Sequence, residues 1–179
     1  MLSDRMRLVR QGCTFSAMGA GVVSLLMSSI LATPRLIYNG SGSAELGFYY
    51  LEPRLPFRGE LAVFRPPLAL ELMIVGRGIL PGNVPLLKRI AAVGGDDVCR
   101  VNTPPGFISV NGEITAEVLE TDWEGRRLPA WEGCMRLVEG EFFLLQPHPR
   151  SFDSRYFGPV LRCDIVGVAR PLWTWNPDF

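Results

Sequence analysis

The stretch "YNGSGSAELGFYYLEP", residues 38–53, joins two different kinds of sequence. Its first half is small and turn-forming, with Ser41-Gly42-Ser43 at its centre. Its second half has the aromatic and aliphatic composition of a β-strand, which is predicted over Leu46–Leu51. The stretch also begins only a few residues after a long uncharged segment. It therefore predicts a loop that presents two serine hydroxyls just before an aromatic strand.

The N-terminal part of the chain predicts a membrane anchor. Residues 12–32 contain no charge and would span ~31 Å as a helix, which matches the hydrocarbon core of a bilayer. Three arginines precede this segment and favour a cytoplasmic N-terminus. A cleaved signal peptide is the alternative, but a cut after Ala32 would place the bulky Ile30 where a small residue is needed. The predicted division is 1–34 for the N-terminus and anchor, and 35–179 for one extracytoplasmic domain.

The outer part has the pattern of a mostly β domain. Short apolar runs are separated by Gly, Pro and Asn, and Asn111-Gly112 lies between two strand-like runs as in a tight hairpin. Leu68–Gly78 has helical spacing but also fits a strand followed by a loop. The predicted strands are Leu46–Leu51, Glu60–Phe64, Leu86–Val93, Phe107–Val110, Glu113–Ala116, Glu141–Leu145 and Asp164–Ala169. The 18 basic and 18 acidic residues balance, so no nucleic-acid partner is predicted.

Three of the four cysteines lie in the predicted outer domain. Three thiols allow at most one disulfide among them, and a bridge between Cys99 and Cys134 would tie down the segment between them, which holds the predicted hairpin and a long loop. Neither a zinc site nor any other cofactor is predicted, because the chain has no CxxC pair and its one histidine is His148.

Two residues could serve as the base for a serine nucleophile. His148 lies between two prolines with Asp153 five positions on, so a Ser-His-Asp triad is possible, but an exposed loop histidine is the favoured interpretation. Lys88 is the chain's only lysine and lies in the apolar run "LLKRIAAV". Desolvation there would lower its pKa and make it fit to act as a general base. A strand lysine that reaches out to water is an equal alternative.

The stretch "SFDSRYFGPV", residues 151–160, combines hydroxyls, an acid and an arginine. On an extended chain Asp153 and Arg155 lie on the same side and would form an ion pair that fixes the loop. Ser151 could then direct its hydroxyl at a lysine amine. A polar turn with only a structural role is the alternative.

Together these three pieces resemble the type I signal peptidase family, whose members use a Ser-Lys dyad. The pieces occur in the family's order, and "DIVGVARPLW" near the end resembles its last strand. The first piece is most similar to the conjugative-transfer branch, the TraF-type pilin-processing peptidases, whose motif resembles N-x-S-x-S-x-P-x-G-x-Y. The chain departs from that motif at Glu45, where the branch has proline. We expect Glu45 either to loosen the turn or to touch substrate.

The resemblance implies a signal-peptidase-like β ectodomain on a single transmembrane helix, and it assigns roles to residues. Ser43 would be the nucleophile and Lys88 its general base, while the Ser41 hydroxyl and the Ser43 N–H would form the oxyanion hole. The supporting residues would be Ser151, which orients the lysine amine, and Asp153 and Arg155, which brace that loop.

The resemblance also implies a substrate and a location. The substrate would be an exported precursor, in this branch a conjugative pilin, bound as an extended peptide along the strand edge at Gly47, Phe48 and Tyr49. The catalytic domain would be periplasmic, anchored in the bacterial inner membrane near other components of a conjugative or secretion system. A general signal peptidase of broad specificity and a non-catalytic module of a secretion complex are the alternatives. The sequence decides neither the oligomeric state nor whether the product is linear or cyclic.

Overall fold

A computed structural model describes residues 35–101 and 105–176 of the chain. The predicted anchor lies outside these residues, as does the predicted 1–34 segment as a whole, so both stay predictions. Among the residues that are described, no helix is long and apolar enough to cross a membrane.

The described part is mainly β, as predicted, and its strands form two antiparallel sheets. The strand order in the larger sheet is β1-β2-β11-β3-β4-β9-β10, and in the smaller sheet it is β7-β6-β5-β8. The strands are β1 Leu36–Asn39, β2 Leu46–Glu52, β3 Leu61–Phe64, β4 Leu86–Val93, β5 Asp97–Val101, β6 Gly106–Val110, β7 Glu113–Val118, β8 Gly133–Arg136, β9 Glu141–Leu145, β10 Val160–Leu161 and β11 Ile165–Trp175. Two helices, α1 Leu68–Gly76 and α2 Ser154–Phe157, accompany them, and a 3-10 turn, Arg162–Asp164, precedes β11.

Several predicted elements are confirmed, one open alternative is decided, and two elements differ. The structure has β4 and β9 with the predicted bounds, and the hairpin of β6 and β7 turns at Asn111-Gly112 with both residues at positive φ. Leu68–Gly76 is a helix, which decides the alternative left open by its spacing. The last strand runs on to Trp175, because it pairs with β2 along almost its whole length. The segment that carries Asp153 and Arg155 is a helical turn, so the prediction of an extended chain there was wrong.

The main hydrophobic core includes residues from β3, β4 and β9 of the larger sheet and from β5, β6 and β7 of the smaller one, together with α1 and α2. Alternate side chains of β4 point into it, since Leu86 and Ile90 belong to this core. Leu87, on the opposite face of the strand, packs in a second cluster with Tyr49, Leu51, Val63 and Ala169. Lys88 has the same parity as Leu86 and Ile90, so the register of β4 turns this lysine inward.

Candidate active site

The loop that carries Ser41 and Ser43 is organised by a side chain at the end of β1. The Asn39 amide nitrogen donates to the carbonyl oxygens of Ser41 (3.1 Å) and Glu45 (2.9 Å). Its oxygen accepts from the Ser41 N–H (3.2 Å) and the Ser41 hydroxyl (2.9 Å). Asparagine forms such local bonds readily, and here one side chain closes the loop from both ends. Asn39 occupies the asparagine position of the resembling motif. The sequence predicted a turn in this stretch but not that the Asn39 side chain organises it.

Glu45 is held on the outside of the same loop. Its carboxylate accepts a hydrogen bond of 2.6 Å from the Thr174 hydroxyl in β11, and its carbonyl accepts one of 2.7 Å from the Tyr49 hydroxyl. Glu45 does not belong to the wall of the cavity described below. Hydrogen bonds thus hold the turn at the position where the resembling motif has a proline ring, so the turn is not loose there. Contact of Glu45 with substrate stays a prediction.

Lys88 is the centre of the polar cluster. Its side chain is 3% exposed, and its Nζ lies 2.7 Å from Ser151 Oγ and 3.4 Å from Ser43 Oγ. Burial lowers the pKa of Lys88 to about 8; the carboxylate of Asp153 opposes this shift and the guanidinium of Arg155 adds to it. A substantial fraction of this amine is therefore neutral just above pH 7, with its lone pair available for a proton.

The loop that carries Ser151 is fixed by a buried ion pair. Arg155 donates to both carboxylate oxygens of Asp153 at 2.8 Å, and both side chains are almost completely buried. The same guanidinium donates to the carbonyl oxygens of Gln146, at 2.8 Å, and His148, at 3.1 Å. Asp153 also caps α2 and accepts from the Gln146 N–H. The pair satisfies its polar atoms within the loop, so it fixes the backbone from which the Ser151 side chain reaches the lysine.

A second arginine, which sequence reasoning missed, supports this loop from the smaller sheet. Arg100, in β5, is 7% exposed and donates a hydrogen bond of 2.6 Å to the carbonyl oxygen of Arg155. Its neighbour Cys99 forms a disulfide with Cys134 in β8. Cys163 is a free and exposed thiol. The disulfide therefore joins two strands of the sheet that carries Arg100. The sequence offered no signal for Arg100, because one arginine in a strand is ordinary.

The candidate catalytic residues open onto one cavity of about 820 Å³. Ser41, Ser43, Lys88 and Ser151 all line it, and most of the remaining wall is apolar. His148 is not in this wall, and its Nδ1 accepts the N–H of Arg150 at 3.1 Å. The structure therefore brings a lysine, and not the histidine, to the serine hydroxyls.

The strand of Gly47, Phe48 and Tyr49 does not have the open edge that was predicted to bind substrate. β1 is hydrogen-bonded to one side of β2 and β11 to the other, so both edges are occupied. A side chain at Gly47 would collide with the carbonyl oxygen of Trp173. A glycine is required at this position because the backbone of β11 packs directly against it. Within the described residues the outer edge of β1 is unpaired, and Tyr38 and Asn39 of β1 line the cavity. The edge strand near the serines is therefore β1.

Residues 11–175 match the protein family described as signal peptidase, peptidase S26. The chain belongs to this family. A plasmid transfer protein TraF from Escherichia coli is 30% identical over 172 residues, covering 90% of this chain and 95% of the relative. A conjugal transfer protein TraF from Agrobacterium fabrum (strain C58 / ATCC 33970) is 33% identical over 149 residues, covering 78% and 82%. A solved signal peptidase I from Enterococcus faecalis V583 is 23% identical, covers 65% of this chain and 98% of its own, and has a TM-score of 0.39.

Membership of the signal peptidase family confirms the resemblance from which the sequence was interpreted. It makes the chain a serine peptidase of the leader-peptidase type, with a precursor protein as substrate.

Proposed function

We propose that this signal peptidase family member cleaves exported precursors with Ser43 as nucleophile and Lys88 as general base. The observation that carries the proposal is the position of the buried Lys88 amine, 2.7 Å from Ser151 Oγ and 3.4 Å from Ser43 Oγ, at the wall of a large cavity. The longer distance exceeds that of a working proton transfer, and such contacts commonly tighten when substrate binds.

In the proposed reaction neutral Lys88 takes the Ser43 proton as Ser43 Oγ attacks the scissile carbonyl carbon. The ammonium so formed is held by Ser151 and then protonates the leaving amine. Water, activated by the same lysine, releases the acyl group from Ser43. The Lys88 amine thus accepts the proton first from Ser43 and later from water. Its pKa of about 8 suits both the acceptance and the release of a proton.

The proposed oxyanion hole consists of the Ser43 N–H and the Ser41 hydroxyl. The Ser41 hydroxyl donates to Asn39 Oδ1 in the substrate-free enzyme, so this donor has to turn from the amide to the oxyanion. The exchange replaces a neutral acceptor with a charged one, which forms the stronger hydrogen bond. Donors of this kind are each worth ~3–4 kcal/mol of transition-state stabilisation.

We propose a conjugative pilin as the precursor and the periplasmic face of the bacterial inner membrane as the place of cleavage. Relatives named as plasmid and conjugal transfer proteins support the first part. The uncharged segment at 12–32 and the disulfide between Cys99 and Cys134 support the second, because disulfides persist in oxidising compartments. A general signal peptidase would share the site but would cleave many unrelated precursors.

Two experiments test these proposals. The purified full chain is incubated with pilin precursors and with unrelated secreted precursors, and the products are weighed by mass spectrometry, which also separates a linear from a cyclic product. Ser43→Ala and Lys88→Ala are expected to abolish cleavage with the fold retained, and full activity in either would disprove the mechanism.

The second experiment tests the location. In intact spheroplasts, a membrane-impermeant maleimide should label the exposed Cys163, with Cys163→Ala as control. Labelling only after lysis would refute a periplasmic domain.

A further inference from the structure

The loop between β7 and β8 forms part of the cavity wall and is unusually well fixed for a loop. Asp122 is its centre: one carboxylate oxygen accepts the N–H groups of Glu124 (3.1 Å) and Arg126 (3.0 Å). The other accepts from the side chains of Arg77 (3.0 Å) and Arg126 (2.8 Å). Thr121 and Arg127 form a β-bridge across the loop. A segment without regular strands is thereby held in one conformation.

The same loop is attached to the end of α1. Arg77, the residue that follows α1, donates to the carbonyl oxygen of Arg127 at 2.6 Å. In return, Arg126 donates to the carbonyl oxygen of Arg77 at 2.9 Å. The side chains of Arg77 and Asp122 are only 19% and 11% exposed, so the ion pair between them is partly shielded from solvent screening. Gly78, Asp122 and Arg126 all belong to the cavity wall.

At the tip of this fixed loop, Trp123 is 74% exposed and lines the cavity that also contains Ser43 and Lys88. An indole offers a large apolar surface, ~150–250 Å² when buried, with little entropy to lose on binding. A rigid support for an exposed tryptophan is typical of a binding anchor, because the backbone that carries the side chain does not have to be ordered on binding.

We propose that Trp123 is a specificity-determining residue that binds a large apolar or aromatic side chain of the precursor close to the cleavage site. This inference rests on the proposed peptidase function of the same cavity. The resemblance to signal peptidases implies small substrate side chains at two positions, in an Ala-x-Ala pattern. The cavity volume of about 820 Å³ lies high in the range for small-molecule sites, roughly 300–1,000 Å³, and is far larger than two small side chains require. Ile79, Leu80 and Leu128 add apolar surface to the wall that Trp123 shares. The substrate class is therefore a precursor with one bulky apolar residue near its small ones.

The test uses the full chain in detergent and a set of peptides with an Ala-x-Ala cleavage site. In each peptide one position before or after the cut carries Phe, and the reference peptide carries Ala at all of these positions. We expect Phe at one position to raise kcat/KM about ten-fold or more for the unaltered enzyme, mainly through KM. Trp123→Ala should remove this preference, so that the Phe and reference peptides are cleaved with similar kcat/KM, and Trp123→Phe should restore most of it.

The matched control is Trp173→Ala, since Trp173 is 72% exposed but does not line the cavity. This variant should keep the preference for Phe. A Phe preference that is absent, or that survives in Trp123→Ala, overturns the inference even if the reference peptide is cleaved normally. If the unaltered enzyme cleaves the reference peptide no better than Ser43→Ala does, the proposed function is overturned and this inference with it. Loss of the preference in both tryptophan variants would also refute a role specific to Trp123.

Discussion

Raising the pH through the titration of Lys88 is the sharpest perturbation of the proposed mechanism. Burial lowers the pKa of this amine from 10.5 to about 8, a shift equivalent to about 3 kcal/mol. At pH 7 about one-tenth of the amine is then neutral, against roughly three parts in ten thousand for a lysine in water. The protein environment thus increases the concentration of the active base about 300-fold at neutral pH.

The assay is kcat/KM for peptide cleavage between about pH 6 and pH 10, since this quantity follows the ionisation of the free enzyme. We expect kcat/KM to rise about ten-fold per pH unit below the pKa of Lys88 and to level off above pH ~8. The positive slope follows because only the deprotonated amine can accept the Ser43 proton. Lys88→Arg keeps a cation of similar length that does not deprotonate, so it should be inactive at every pH.

Two results would refute this reasoning. If kcat/KM climbs with unit slope to pH ~10, the amine has the pKa of an exposed lysine and is not desolvated in solution. If kcat/KM is already flat between about pH 6 and pH 8, then a group other than Lys88 accepts the proton.

Three further predictions concern stability and the loop. Replacing Lys88 by Met should raise the free energy of unfolding by about 3 kcal/mol at pH 7, and this gain should be smaller by about 2 kcal/mol at pH 10. The gain shrinks because, between pH ~8 and ~10.5, the amine is protonated in the unfolded chain but not in the folded one. Guanidinium unfolding at the two pH values measures the gain, and a gain that does not depend on pH would contradict the lowered pKa of Lys88. Asn39→Ala should lower kcat about ten-fold or more with little change in Tm, and an unchanged kcat would show that the Ser41 loop needs no such support. The double variant Cys99→Ser, Cys134→Ser should lower the free energy of unfolding by ~3–4 kcal/mol, since the disulfide closes a loop of 35 residues. Urea unfolding of the oxidised protein and of this variant gives the difference, and a difference near zero would show that the disulfide does not stabilise the fold.

The strand that carries Lys88 could be predicted from the sequence, because the run Leu86–Val93 is apolar. The burial of the lysine could not be decided, because apolar residues lie on both sides of it and its side chain could also have reached out to water. In the folded sheet Lys88 shares a face with Leu86 and Ile90, which belong to the main core. The Asp153–Arg155 ion pair was predicted and is present, but the extended chain from which it was predicted is not. The helical turn could not be predicted, because four residues are too few to show periodicity.

The substrate edge could not be predicted, because pairing between distant strands leaves no mark on either strand alone. β2 looks like a strand with a free edge until β11 is placed beside it, more than a hundred residues later in the chain. The same holds for the tight approach at Gly47 and for the Asp122 loop, whose contacts with Arg77 join segments that are 45 positions apart. Local composition predicts strands, but their neighbours depend on the whole sheet.

The hydrogen bond between Glu45 and Thr174 has a consequence for the timing of activity during synthesis. It spans 129 positions, so the loop that carries the proposed nucleophile is completed only when β11 has joined β2. β11 follows every other described strand in the chain, which means that a nascent chain that has not yet reached Thr174 has its serines but not their final support. A peptidase built in this order gains its supported serine loop only after β11 has been synthesised and paired, and a bulky insertion placed directly after Trp175 should delay or weaken that step.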